Sequence, residues 1–153
     1  MGKYGRYFGA RDLEFINSIN AELMGDILQT FVSCFKIAAD VTKTNIYGES
    51  SEGKSFYDGV ELTAIIERAD ITGDDDNFGP DRDQSVVFKF RHNSCRDAGY
   101  FPQIGDVVLF NSRFHEVNNV IQEQLLGNQP DNSHSIICNT HYSRLSKLNI
   151  VER

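Results

Sequence analysis

The sequence predicts a mainly β fold, a small antiparallel barrel or sandwich with an N-terminal α-helix and long loops. One segment near the start has apolar residues at helical spacing, whereas six later segments alternate with the period of two that is typical of strands. The strands are separated by turn residues and not by helices, so βαβ units are not indicated. A length of 153 residues suits one domain with one core.

The helix is predicted to begin at Asp12, whose carboxylate is a favourable N-cap, and Gly25 is a residue at which it would end. We expect its apolar face to be buried, with the polar residues Asn17 and Asn20 on the opposite side. This face consists of Leu13, Ile16, Ile19, Leu23 and Ile27, and Phe15 points roughly the same way.

The strands follow in order, and a short helical turn is predicted around residues 95–98. A short connection over Asn111, Ser112 and Arg113 joins two of the strands into a hairpin. Two segments rich in Gly, Ser and Asp, 45–59 and 71–83, are predicted to be long loops. The predicted strands are 27–38, 60–68, 85–91, 105–110, 114–121 and 135–140.

The net charge of -7 is distributed unevenly. Residues 1–11 carry three bases and no acid, whereas residues 12–140 carry 21 acids against nine bases. We interpret the chain as a basic N-terminal arm (1–11), a single domain (12–150) and a C-terminal tail (151–153). An acidic body disfavours nonspecific binding to duplex DNA, because phosphate contacts need clustered Lys and Arg.

The segment from Gly48 to Ser55 matches the P-loop pattern GxxxxGK[ST]. A phosphate-binding loop needs a helix directly after it, because the helix N-terminus holds the phosphates. Here Phe56, Tyr57 and Gly59 follow, and Glu49 and Glu52 would place carboxylates in the cradle. We therefore interpret this segment as a surface loop and expect no nucleotide cofactor.

The sequence also gives little support for other metal-binding or catalytic sites. The aspartates of residues 74–83 lack EF-hand spacing, so we interpret them as solvated carboxylates, with a loose calcium site as the alternative. On one strand His134 and Cys138 share a face and His141 lies on the other, which disfavours a zinc site. Cys34 and Cys95 are isolated, and no residues show the pattern of a catalytic nucleophile, so we expect neither a disulfide framework, nor a metal, nor an enzyme.

Several stretches, in the same order along the chain, resemble the neck proteins (head-to-tail connector or head completion proteins) of T4-like contractile-tailed bacteriophages. They are residues 12–23, 44–50, 78–81, 104–111 with 114–117, and 135–141. The resemblance implies a structural virion protein that forms a ring of six or twelve copies between portal and tail. It further implies that this ring closes the DNA-filled head, with genomic DNA passing through the lumen without specific binding, and that it offers the docking surface for the tail.

Within such a particle we expect portal or adaptor proteins above the ring and a tail terminator or other neck proteins below it. The location would be the virion neck, after assembly in the host cytoplasm, without membrane contact. A soluble, non-enzymatic adaptor and a P-loop nucleotide-binding protein are the alternative functions. The residues expected at interfaces are Lys3, Arg6, Tyr47, Glu49, Lys54, Phe56, Tyr57, Asp75, Phe78, Asp81 and Arg82.

Overall fold

The computed structural model describes residues 10–40, 42, 53–76, 79–124, 133–143 and 148–149. A helix α1 (Ala10–Glu22) continues as a π-helical segment (Leu23–Leu28), and a second helix α2 (His92–Asp97) lies between two strands. The strands are β1 (Phe31–Phe35), β2 (Lys54–Ser55), β3 (Val60–Asp76), β4 (Gly79–Arg91), β5 (Val107–Phe110), β6 (Arg113–Gln124), β7 (Ser133–Ser143) and β8 (Leu148–Asn149).

Six of these strands close into an antiparallel barrel in the order β1-β3-β4-β7-β6-β5. The remaining pair, β2 and β8, forms a separate two-stranded parallel sheet. In the closed part of the barrel each strand is paired on both sides, which removes a route to aggregation there. The predicted fold class is confirmed: a mainly β protein with an antiparallel barrel and an N-terminal helix. No helix in the described part of the chain is long and apolar enough to cross a membrane.

The barrel interior is filled by side chains at alternate positions of each strand, as the period of two predicts. On β4, Val86, Phe88 and Phe90 are buried, and the Phe88 ring lies 6.4 Å from that of Phe90. Small residues on neighbouring strands, among them Cys34 and Cys138, are fully buried in the same cluster. A six-stranded barrel is narrow, so large rings on one strand require small side chains on others to reach close packing.

The predicted hairpin between β5 and β6 is confirmed. Asn111 and Ser112 both have positive φ (51° and 60°), the arrangement of a two-residue turn whose twist matches that of the flanking strands. The helical turn predicted around residues 95–98 is present as α2. Its Cys95 is fully buried and anchors the helix to the barrel core.

Two predicted boundaries are wrong. The strand predicted over residues 27–38 covers only β1, because helical structure continues past Gly25 to Leu28 and ends at Gln29, which is left-handed (φ 45°). The loop predicted over 71–83 is instead the paired outer part of β3 and β4, apart from residues 77–78, which lie outside the described residues. Asp and Gly have weak strand propensity, but pairing between the two arms of a hairpin satisfies the backbone and outweighs it.

Candidate assembly surfaces

The β3–β4 hairpin extends beyond its neighbours in the barrel. β1 pairs with β3 only up to Thr63, and in the described part of the chain β7 pairs with β4 only from Ser85 onward. The six pairs from Ile71↔Gln84 to Asp76↔Gly79 therefore form a two-stranded ribbon about 20 Å long. We call residues 71–84 the acidic ribbon, because they contain five Asp and one Arg. Such a ribbon extends away from the barrel and can contact another molecule.

A second surface is formed by the outward side of α1, the π segment and the start of β1, where six large apolar side chains are exposed. The exposed fraction is 69% for Ile27 and 65% for Phe15, and none of the six falls below 39%. We call this set the apolar stripe: Phe15, Ile19, Leu23, Ile27, Leu28 and Phe31. Contiguous exposed apolar surface of this kind marks interaction sites in soluble proteins.

The prediction of a buried helix face is therefore wrong for Ile19, Leu23 and Ile27, and also for Phe15. Leu13 and Ile16 are half-buried, and the buried contact of this region is made by Met24, which is 7% exposed.

The predicted polar side of the helix instead contributes to its attachment to the barrel. Nδ2 of Asn20 lies 3.1 Å from Nε2 of His134, and Nη1 of Arg91 donates to the backbone carbonyl of Asn17 over 3.2 Å. These two contacts hold α1 to β7 and to the end of β4. The helix is thereby oriented with much of its apolar surface toward solvent.

The π segment helps to keep the stripe continuous. In an α-helix, residue i+4 is rotated by about 40° around the helix axis relative to residue i. A long series of residues spaced by four therefore shifts gradually around the helix. A π turn contains more residues than an α turn, which turns Ile27 back toward the line of Ile19 and Leu23. π segments occur frequently at functional sites.

The described part of the segment between β1 and β3 contains three of the residues predicted at interfaces. Lys54, on β2, forms an ion pair with Glu116 on β6. Phe56 is half-buried and packs against Val107 and Phe114, so its ring stabilises the barrel wall. Tyr57 is half exposed (49%), and its hydroxyl donates to Asp40 over 2.6 Å. Of the three, Tyr57 is the most exposed.

The other predicted interface residues are placed less fully. The backbone of Asp75, Asp81 and Arg82 belongs to the acidic ribbon, which brings these three positions together. The remaining residues, Lys3, Arg6, Tyr47, Glu49 and Phe78, lie outside the described part of the chain.

The P-loop pattern has no helix after it. Lys54 and Ser55 form β2, Phe56 makes a β-bridge with Ile37, and β3 begins at Val60. The helix N-terminus that would hold phosphates is therefore missing directly after this segment.

Cys34, Cys95 and Cys138 are all buried. Burial raises the pKa of Cys95 to about 11 and that of Cys138 to about 12, and it raises the pKa of Cys34 as well, so these thiols are protonated at neutral pH. His141 contacts Asn118, on the opposite side of β7 from Cys138. Within the described ranges no group of three potential ligands lies close enough to hold a metal ion.

The apolar stripe was missed as a surface by sequence reasoning, although the sequence carried an indication of it. Apolar residues at 13, 15, 16, 19, 23, 24, 27 and 28 cover more of the helix than one buried face requires. A small barrel covers only part of a wide apolar helix surface. The uncovered apolar area is then available to a partner.

The fold of the barrel resembles that of a chain of known structure. It is similar to a solved chain from the "Virion of native gene transfer agent (GTA) particle", with a TM-score of 0.52 and 11% sequence identity. The alignment covers 72% of this chain and 90% of that chain. Comparison with protein-family models gave no match, and neither did comparison with curated protein sequences. At this identity the likeness shows a shared fold.

Proposed function

We propose that this protein is a structural component of a phage-type virion and that its copies form a ring in the neck, between portal and tail. The observation that carries the proposal is the barrel's likeness to a chain of a gene transfer agent virion, of which it covers 90%. The resemblance of several sequence stretches to phage neck proteins supports the same location. In this position the ring closes the DNA-filled head and provides the surface on which the tail docks, in six or twelve copies.

The two exposed surfaces support a role in assembly. In a closed ring each copy uses two different patches, because every contact is head to tail. The apolar stripe is a surface on which a neighbouring protein can pack. The acidic ribbon extends from the barrel and can contact an adjacent layer of the neck or line the lumen. Carboxylates around a DNA passage repel phosphates, so they let the duplex move without being held.

The energetics favour assembly on a template over a free oligomer. Fully burying an Ile, Leu or Phe side chain contributes about 1.5–3 kcal/mol, and the stripe side chains are already partly buried. Association itself costs about 4–15 kcal/mol in lost freedom, so the stripe alone supports weak self-association. A portal or neighbouring layer that orients the copies lowers this cost, and we propose that the ring closes there.

The test is the position of the chain in intact particles. Virions are purified from an infection in which a tagged copy replaces the native one, and the head-to-tail junction is reconstructed by electron microscopy. We expect density for the barrel as a ring at that junction. We also expect infections lacking the protein to accumulate heads and tails that do not join, with joining restored by the wild-type chain.

The same experiment separates the proposal from the adaptor alternative. A soluble adaptor would be missing from purified virions, and its loss would leave heads joined to tails. Absence of the chain from purified particles therefore overturns the proposed function. Its presence elsewhere than the neck would retain a virion role but overturn the location.

A further inference from the structure

The apolar stripe continues into a groove on the side of the barrel. Phe31, the last residue of the stripe, also lines this groove, together with the buried Leu62 of β3 and residues of α2. The groove has a volume of about 620 Å³, which is enough to admit side chains of another molecule. Two exposed acids, Glu61 and Asp97, line it as well. Stripe and groove therefore form one continuous surface that is apolar along the helix and acidic at the groove.

The charges along the stripe are also mainly acidic. Together α1 and the π segment carry four acids and one base, and the exposed acids Glu22 and Asp26 lie four positions apart beside the stripe. Within the described part of the chain, Glu22, Asp26 and Glu61 form no ion pair, and Asp97 has only a 3.8 Å contact with the adjacent Arg96. A partner that packs on this surface therefore gains from bases placed next to its apolar side chains.

One segment of the chain itself has this complementary composition. Residues 3–8, Lys-Tyr-Gly-Arg-Tyr-Phe, contain three aromatic residues, two bases and no acid. Of the parts of the sequence outside the described residues, only 1–9 combines aromatic residues with bases and lacks acids. In an extended chain Tyr4, Arg6 and Phe8 fall on one side, so two rings flank a base. We call residues 3–8 the basic–aromatic segment.

The segment and the stripe also match in length. Six extended residues span about 17 Å. The stripe from Phe15 to Ile27 covers twelve helical residues, about 18 Å along the axis. Aromatic rings supply large apolar contact areas, so three of them along this line can cover much of the exposed stripe.

We propose that the basic–aromatic segment of one copy lies along the apolar stripe of the next copy. Its rings pack on the apolar side chains, and its bases lie beside Glu22, Asp26 and the carboxylates of the groove. This contact rests on the proposed ring function, because it names the two surfaces through which neighbouring copies meet. The two surfaces differ, so repetition of the contact closes a ring when the rotation is suitable.

The segment of a neighbouring copy fits this surface better than the segment of the same copy. To fold back along its own helix the chain would have to reverse before Ala10, and a reversal takes about four residues. Residues 6–9 would then form the turn, which removes Arg6, Tyr7 and Phe8 from the contact. A segment that arrives from a neighbouring copy keeps all three rings and both bases available.

The first test is a cysteine crosslink between two purified full-length variants, Gly5→Cys and Ser18→Cys. Neither change removes a ring, a base or a stripe side chain, and Ser18 is exposed one helical turn before Glu22. The native cysteines are buried, so the new thiols are the reactive ones. The variants are mixed at about 1 mM, a concentration suited to a weak contact, and treated with a short bifunctional maleimide. We expect a mixed dimer linked between the two new positions, identified by mass spectrometry of the peptides.

In the control Ile104→Cys replaces Ser18→Cys, because Ile104 is 68% exposed and belongs to neither surface. A Gly5–Ser18 crosslink no more abundant than the Gly5–Ile104 crosslink overturns the proposal. The double variant Gly5→Cys/Ser18→Cys at high dilution detects folding back within one chain. A crosslink that forms there, but not between the mixed single variants, assigns the segment to its own helix and overturns the neighbouring copy as its partner.

The second test reverses one charge of the segment. Arg6→Glu replaces attraction to Glu22 and Asp26 by repulsion, whereas Arg153→Glu makes the same change in net charge outside the segment. We expect self-association of Arg6→Glu to be about tenfold weaker by sedimentation, and Arg153→Glu to associate like the wild type. Equal association of the two variants, or a wild-type chain that stays monomeric at about 1 mM, contradicts the contact.

The outcomes distinguish this contact from the virion role. Crosslinks without the chain in virions would retain the contact and overturn the proposed function. A ring in the neck without these crosslinks would do the reverse.

Discussion

The hydroxyl of Tyr100 donates a hydrogen bond to Oδ2 of Asp106 over 3.0 Å, and both side chains are buried. Asp106 also accepts from the backbone N–H of Gln103 (2.9 Å) and, through Oδ1, from that of Ile37 (3.0 Å). One carboxylate thus connects the segment after β1 to the loop between α2 and β5. Burial raises the pKa of Tyr100, so the phenol stays a donor at any physiological pH.

We predict that Asp106→Asn destabilises the protein by about 3 kcal/mol. An amide has one acceptor oxygen where the carboxylate has two, so at least one buried donor loses its partner, and a charged acceptor is replaced by a neutral one. Urea denaturation measures the effect. Asp97→Asn is the control, because Asp97 is exposed and its change should leave the midpoint unaltered. Equal midpoints for the two variants would show that the connection at Asp106 is not needed for stability.

Stability should fall between pH 6.5 and pH 4 because of His115. Its ring lies between those of Phe88 (5.7 Å) and Tyr142 (6.3 Å), and burial, followed by the charges of Arg113 and His141, lowers its pKa to about 4. The unfolded chain takes up the proton near pH 6.5, whereas the native chain resists it. The contribution of the neutral ring is complete above pH 6.5 and is lost as the pH falls, about 3 kcal/mol in total.

Denaturant titrations at successive pH values measure this slope. In His115→Phe an apolar ring replaces the titrating one, so the part of the slope that arises here should disappear. A wild-type protein whose stability is flat between pH 6.5 and pH 4 would contradict the prediction, and so would an unchanged slope in the variant.

Two adjacent residues of the helical segment should respond differently to truncation. Met24 is 7% exposed, so Met24→Ala should cost about 2–4 kcal/mol through lost burial and the cavity left behind. Leu23 is 39% exposed, and Leu23→Ala should cost less than 1 kcal/mol in the isolated chain. Thermal and urea unfolding compare the pair. The reverse order would mean that the buried face is the one predicted from periodicity.

The acidic ribbon should be dispensable for folding and needed for assembly. Replacing residues 72–83 by Asn-Gly connects Ile71 to Gln84, which already pair across β3 and β4, through a two-residue turn. We expect the melting temperature to stay within about 5 °C of the wild type, because the removed residues that the structure describes pair only with one another. Complementation of a phage lacking the protein should fail. Normal infectivity with the shortened chain would exclude the ribbon as an assembly surface.

The local period of the sequence determined the elements of the barrel. Alternation at Val86, Phe88 and Phe90 identifies both a strand and its inward face, because side-chain direction along a strand depends on the chain itself. The turn at Asn111 and Ser112 is similarly local. The mainly β class and most strand positions followed from such patterns.

Only the tertiary structure decided which side of the helix meets the barrel and whether residues 71–84 are paired. Asn20 contacts His134 across 114 residues of sequence, and that contact, with the burial of Met24, exposes Ile19 and Ile27. The aspartates of the ribbon form strands because two arms satisfy each other's backbone groups. Neither outcome is encoded in a local period, since each depends on the free energy of contacts between distant segments, and these contacts created both candidate surfaces.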